Sequence, residues 1–260
     1  MFTTISTIKR KLRGFSLKVF NYIENNGNSN FDTNGEEVFI DNLMNSFKND
    51  GERKRIVFDI GANIGIYSQM IHNKSNKMNI SLYLFEPTKS CFDTIFIKFE
   101  SEKNIQVNNF GASDSNTMST IYYDKEQSGL ASLYQRNLDS YNLKLDKSEE
   151  ITLRRLDNYI EEHNIEHIDF VKIDIEGHEL KALEGFGKYL NGDFIDYIQF
   201  EYGGTNLDAH TSLMDIYKFL EERGFNIAKI MPKGIEIRNY TPYMDNFNYA
   251  NYVAVSKRIA

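Results

Sequence analysis

Val57-Phe58-Asp59-Ile60-Gly61-Ala62-Asn63-Ile64-Gly65, followed by Leu82-Tyr83-Leu84-Phe85-Glu86-Pro87, decides how this chain folds. A short apolar strand runs into a glycine-bearing turn, a helix, and a second apolar strand that ends in a carboxylate. This is half of a nucleotide-binding βαβ unit. Gly61 and Gly65 let the backbone turn sharply and a ligand approach without Cβ interference. Glu86 closes the second strand, where an acid accepts both hydroxyls of a ribose. Asp59 stands two residues before the first glycine, and Asn63 stands where a dinucleotide fingerprint requires Gly. An anionic pyrophosphate is repelled by such a carboxylate. A ligand with an ammonium, a sulfonium and a ribose is attracted, and S-adenosylmethionine is one.

Alternation of strand and helix continues outward from this unit and predicts a parallel sheet with crossover helices. Strands are expected at Ile56–Ile60, Ile80–Phe85, Ile105–Phe110, Ile168–Ile173 and Ile195–Phe200, with helices over Tyr67–His72, Cys91–Phe99, Leu156–Glu162, Leu180–Phe186 and Ser212–Arg223. Asn226–Met231, Ile235–Arg238 and Tyr252–Ser256 suggest a terminal antiparallel pair, and residues 115–150 read as a long polar loop. Loops of that length in compact domains are usually functional.

Ligands of open α/β sheets bind beyond the carboxyl ends of the strands. Here those ends present Asp59 with the Gly61–Gly65 turn, Glu86, Gly111-Ala112-Ser113-Asp114, Asp174 with Glu176, and Glu201. A structural sheet has no need to gather acids on one rim, because they repel one another.

Asp59-x-Gly61-x-Asn63-x-Gly65, Phe85-Glu86-Pro87, Ala112-Ser113-Asp114 and Val171-Lys172-Ile173-Asp174-Ile175-Glu176-Gly177-His178-Glu179 together resemble the FkbM family of S-adenosylmethionine-dependent methyltransferases, over residues 34–202. The resemblance implies an α/β class I methyltransferase (Rossmann-like) fold: a seven-stranded, mostly parallel sheet with helices on both faces. It also implies O-methylation, often of sugar hydroxyls. On that reading Asp59 lies near the cofactor's ammonium, Gly61, Gly65, Asn63 and Tyr67 surround its methionine end, Glu86 holds the ribose, and Gly111, Ala112 and Ser113 cover the adenine.

Deprotonating a hydroxyl calls for a general base. Asp174 is favoured, Glu201 comes next, and Glu176 and His178 complete the candidates. No metal ligand is assigned, although Asp174 and Glu201 could hold Mg²⁺ through oxygen-only coordination. Tyr122, Tyr123, Tyr134, Tyr141, Tyr243, Phe247 and Tyr249 could stack on a sugar or base, and Arg136 and Lys144 could meet a phosphate. The expected acceptor is a sugar hydroxyl, nucleotide-linked or in a glycan, in surface-polysaccharide or secondary-metabolite assembly. The alternatives are an NAD-dependent sugar oxidoreductase, disfavoured by Asn63, and an inactive cofactor-binding partner.

The chain of 260 residues divides into an N-terminal helical extension, 1–50, and a cofactor-binding domain, 51–260. A net charge of −7 argues against general nucleic-acid binding. The lone Cys91 fits a reducing cytosol, and no apolar run approaches the ~18 residues that span a bilayer. A soluble, cytoplasmic protein is therefore expected. Residues 1–23 carry Lys9, Arg10, Lys11, Arg13 and Lys18 and no acid, with Ile5, Ile8, Leu12, Phe15, Val19 and Ile23 at helical spacing. The favoured expectation is that this stripe covers the main domain or a second subunit in a homodimer; the other is a membrane-surface helix.

Overall fold

The computed structural model describes residues 5–75, 78–136, 138–139 and 142–260; Tyr141, a candidate acceptor contact, lies outside them. The strands in chain order are β1 (Arg55–Ile60), β2 (Ile80–Phe85), β3 (Ile105–Asn108), β4 (Gly111–Ala112), β5 (Thr117–Tyr123), β6 (Lys147–Arg154), β7 (Ile168–Ile173), β8 (Ile195–Tyr202), β9 (Phe225–Met231), β10 (Gly234–Ile237) and β11 (Ala250–Ser256). The helices are α1 (Thr7–Ile23), α2 (Phe31–Asn34), α3 (Glu36–Asn49), α4 (Ile66–Lys74), α5 (Lys89–Phe99), α6 (Leu156–Glu162), α7 (Glu179–Gly185), α8 (Gly204–Asp208) and α9 (Leu213–Glu221).

One sheet of eight strands runs in the order β10-β9-β11-β8-β7-β1-β2-β3. β1, β2, β3, β7 and β8 pair in parallel, and β11 inserts antiparallel between β8 and β9. The seven strands that the resemblance implies are present, and β10, on the expected Ile235–Arg238 segment, adds an eighth by folding back antiparallel on β9. The middle strands are apolar almost throughout because both faces are covered. Successive β1 residues serve opposite faces. Val57 packs with Phe39, Ile40, Ile71, Ile95 and Phe99 of α3, α4 and α5, while Phe58 and Ile60 pack with Leu156, Tyr159, Leu183, Ile216 and Leu220 of α6, α7 and α9.

The stretch 115–150 departs from the expected loop. β5 and β6 pair antiparallel from Thr117↔Leu153 to Tyr123↔Lys147, and β4 joins β6 in parallel to complete a small second sheet. The predicted third strand accordingly ends at Asn108, with Gly111 and Ala112 in this second sheet rather than in the first.

The expected extension divides in two. α3 buries Phe39, Ile40, Leu43, Met44 and Phe47 against the main sheet. α1 buries no residue at all, so its apolar stripe does not cover the main domain as favoured. No helix among the described residues is long and apolar enough to cross a membrane.

Candidate active site

β1 lies between β2 and β7, where the chain's order across the sheet reverses, and a crevice opens beyond the strand ends at that point. The turn leaving β1 crosses close over the end of β7. Asp174 N donates to Ile60 O at 3.0 Å, and a Cβ on Gly61 would lie 1.9 Å from Asp174 O, with φ already at +84°. Only glycine fits there. The crevice is a cleft of about 710 Å³, counting its open mouth, lined by Gly61, Asn63, Glu86, Gly111, Ala112, Asp174, Glu176 and His178. Ile121, Leu133, Ile151 and Leu153, all on or beside the second sheet, form an apolar wall.

Glu86 is 5% exposed. Its Oε2 accepts from Asn63 N at 2.8 Å, and its Oε1 accepts from Thr88 N at 2.9 Å and Thr88 Oγ1 at 2.6 Å. Burial pushes its proton affinity up against these donors. The carboxylate is thus fixed in place at the cleft, and its remaining lone pairs can accept from ligand hydroxyls. Asn63, in left-handed backbone at φ +47°, donates through Nδ2 to Ser128 O at 3.0 Å and ties the turn to the roof of the cleft.

Four residues expected at the cofactor stand behind the cleft rather than in its lining. Asp59 is 2% exposed; one oxygen accepts from Ser68 Oγ, and Oδ1 is buried without a partner. Tyr67 donates to Gln199 Oε1 at 2.6 Å, and its ring lies beneath Lys172 Nζ, 4.7 Å from the centroid. Gly65 packs against α5, where a Cβ would meet Ile95 Cγ2 at 2.9 Å. Ser113 is likewise buried, with Oγ 3.0 Å from His178 Nε2.

At the mouth, oxygens of Asp174, Glu176 and Glu201 lie within 4.8 Å of one another. Three anions this close repel unless a proton or cation is shared among them. Asp174 is held by Lys172 Nζ at 2.7 Å, and Glu176 by Arg136 Nη1 at 3.1 Å. The Glu201 carboxyl makes no hydrogen bond or ion pair among the described residues, and the residue's backbone pairs with Asn251. It lies inside β8 rather than beyond it, opposite Asn251 of β11. Burial first, then the charges of Asp174, Glu176 and Glu179, push its proton affinity well above the ordinary carboxylate range. Burial and Asp174 do the same to Glu176. Lys172 is 6% exposed; burial would lower its pKa, but Asp174, Asp59 and Glu36 outweigh that and keep it charged.

His178, an expected base, is pushed down to about 4 by burial. Its Nδ1 lies 3.0 Å from Tyr134 OH and its other nitrogen faces Ser113. A neutral imidazole with both nitrogens engaged links the two walls and leaves no lone pair for the acceptor. Arg136 is spent on Glu176 and Asp208, and Lys144 is exposed beside Asp124 and Asp146, away from the cleft. Of the expected aromatic contacts, Tyr249 borders the acids: Glu201 and Glu36 raise its pKa after burial. Phe247 packs on Tyr202, and Tyr243 reaches Phe20 of α1.

Sequence reasoning overlooked Lys172, Glu36, Gln199 and Asn251. Gln199 Nε2 donates to Glu36 Oε2 at 2.6 Å, and Asn251 Nδ2 donates to Glu36 Oε1 at 3.2 Å. This buried network backs the acid cluster. The available signal was a polar residue inside an apolar strand, Lys172 in one and Gln199 in the next, since interior polar groups must find partners.

The seven-strand topology with one inserted antiparallel strand, and its cleft at the switch point, define a class I methyltransferase fold. The sequence profile of the Methyltransferase FkbM domain matches residues 59–227, and the chain belongs to the FkbM methyltransferase family. It is 22% identical over 214 residues to Methyltransferase 1 of Beauveria bassiana (strain ARSEF 2860), covering 76% of this chain and 82% of that protein. Among solved structures it is similar to methyltransferase FkbM from Methylobacillus flagellatus KT, at 18% identity and a TM-score of 0.48, over 77% of this chain and 43% of that one. This chain therefore spans less than half the length of the Methylobacillus chain. It is also similar to Aeropyrum pernix fibrillarin in complex with natively bound S-adenosyl-L-methionine, at 13% identity and a TM-score of 0.42, over 78% of this chain and 67% of that one.

Proposed function

We propose that this methyltransferase takes S-adenosylmethionine in the switch-point cleft and directs methyl transfer to the oxygen of a sugar hydroxyl, in a glycan or a secondary metabolite. The observation that carries the reading is the unpaired, proton-attracting Glu201 beside Asp174 and Glu176 at the mouth of that cleft.

The lining suits the cofactor. Glu86 offers a fixed acceptor for ribose hydroxyls, the wall of Ile121, Ile151 and Leu153 offers an apolar surface to a flat base, and Asp174 offers a carboxylate to an ammonium. S-adenosylmethionine supplies an electrophilic methyl on a positive sulfur. The chain's residues orient the acceptor oxygen and accept its proton. Alignment of that kind is worth on the order of 7–11 kcal/mol, and a general base adds about 10²–10⁴ in rate. Glu201 replaces Asp174 as the favoured base, because Lys172 pairs directly with Asp174 and not with Glu201. A carboxylate whose proton affinity is raised is the stronger proton acceptor once deprotonated. The nucleotide-linked acceptor loses its support from Arg136 and Lys144, so a glycan or free sugar hydroxyl becomes the favoured class.

Incubation with S-adenosylmethionine and a panel of sugars, glycans and nucleotide-sugars, followed by mass spectrometry of the product linkage, tests this. An O-methyl sugar formed by the wild type and lost in Glu201→Gln supports the reading. Methyl delivered to nitrogen, or full turnover in Glu201→Gln, overturns it.

A further inference from the structure

We propose that α1 is an interfacial helix that docks this protein on an anionic lipid surface. At 3.6 residues per turn, Ile8, Leu12, Phe15, Val19 and Ile23 form one stripe. Ile8 is 80% exposed, Leu12 61%, Phe15 65% and Ile23 62%. Lys11 and Lys18 border the stripe on one side and Lys9 and Arg13 on the other, while Arg10, Gly14, Leu17 and Asn21 occupy the opposite face. Such a continuous exposed apolar stripe marks an interaction surface. Basic residues flanking it, with the polar face outward, are the arrangement of helices that lie in the headgroup plane.

Charge selects the occupant. The net charge of −7 is the balance of five positive charges in residues 1–23 against −12 on the rest. Every positive charge before Glu24 lies on this helix, and no acid accompanies them. A second copy would bring an equally basic helix to the same stripe, setting like charges side by side. Anionic headgroups complement the flanks while the acyl boundary takes the stripe.

Among the described residues the helix is attached only at its end, which leaves the stripe free. Glu24 pairs with Arg238, Phe20 meets Tyr243 edge-on at 6.1 Å, and Gly27 N donates to Tyr249 O at 2.7 Å. Tyr249 borders the acid cluster, so the root of the helix and the mouth of the cleft share one segment.

Co-sedimentation with phosphatidylcholine vesicles, with and without ~30% phosphatidylglycerol, tests the proposal, alongside size-exclusion chromatography. The wild type pellets with the anionic vesicles only and is released by high salt. Leu12→Asp with Phe15→Asp abolishes binding. Lys11→Ala with Lys18→Ala weakens it about 25-fold, at about fivefold per charge. Because α1 buries nothing, both variants retain the thermal transition of the wild type. Failure of the wild type to bind anionic vesicles overturns the proposal, as does equal binding to neutral ones. A dimer that Phe15→Asp dissolves, without vesicle binding, assigns the stripe to a second copy instead. None of these outcomes depends on turnover.

Discussion

Glu201 and Asp174 differ by one neighbour. Lys172 Nζ lies 2.7 Å from Asp174, while for Glu201 burial and the charges of Asp174, Glu176 and Glu179 outweigh the same lysine. A base works deprotonated, so kcat/KM should climb with pH through the raised pKa of the acid cluster and level off above it. Glu201→Gln should lower kcat by about 10²–10⁴ and leave S-adenosylhomocysteine affinity within a few fold; pH–rate profiles of both proteins check this. If a shared proton keeps the cluster together, EDTA should leave turnover within about twofold. Loss of activity that Mg²⁺ restores would make the three carboxylates a cation site. Gly61→Ala tests the crossing of β1 over β7. With Asp174 O 1.9 Å from the new Cβ, the backbone must move. A loss of at least ~3 kcal/mol in denaturant unfolding, or no soluble protein, is expected.

The second sheet is the element that turns an open sheet edge into an enclosed cleft. Ile121, Ile151 and Leu153 are the buried apolar residues of β5 and β6 and face the cleft rather than either main core. Leu153→Asp should therefore weaken S-adenosylhomocysteine binding by at least tenfold while costing less stability than a core substitution; titration calorimetry and thermal unfolding read the two effects. The main strands were legible because both faces are covered, giving the apolar runs Ile80–Phe85 and Ile168–Ile173. β5 and β6 were not, because only one face of each is covered and the period-2 signal is short. Ile151 and Leu153 alternate for one repeat among Lys147, Glu149, Glu150 and Arg154. Pattern likewise placed Asp59 and Tyr67 at the carboxyl end of the sheet without revealing that their side chains turn away from the cleft lining. Where a side chain points after a turn depends on packing: Ser68 draws Asp59 inward, and Gln199 draws Tyr67 away.

Across the whole molecule, acids collected at one end of the sheet trade stability for chemistry. Burial raises Glu179 to about 7 from an ordinary 4.5, with its Oε1 accepting from Gly177 N at 3.1 Å. The folded state then keeps a proton that the unfolded chain releases. This contribution to stability is full below about pH 4.5 and is lost as pH rises through about 7. The ligand-free protein should lose thermal stability between pH 5 and 8 more steeply than Glu179→Gln, by up to ~3 kcal/mol in this window; unfolding scans of the two proteins measure the difference. The same concentration of negative charge on the rest of the chain sets apart the basic, acid-free α1.

The central claim is that the switch-point cleft holds S-adenosylmethionine, and calorimetric titration with S-adenosylhomocysteine, with NAD as control, tests it most directly. Micromolar binding of S-adenosylhomocysteine, abolished by Glu86→Ala, and no heat from NAD are the predicted results. No binding of S-adenosylhomocysteine, or binding of NAD in its place, would contradict the assignment of the cleft and of the acids around it.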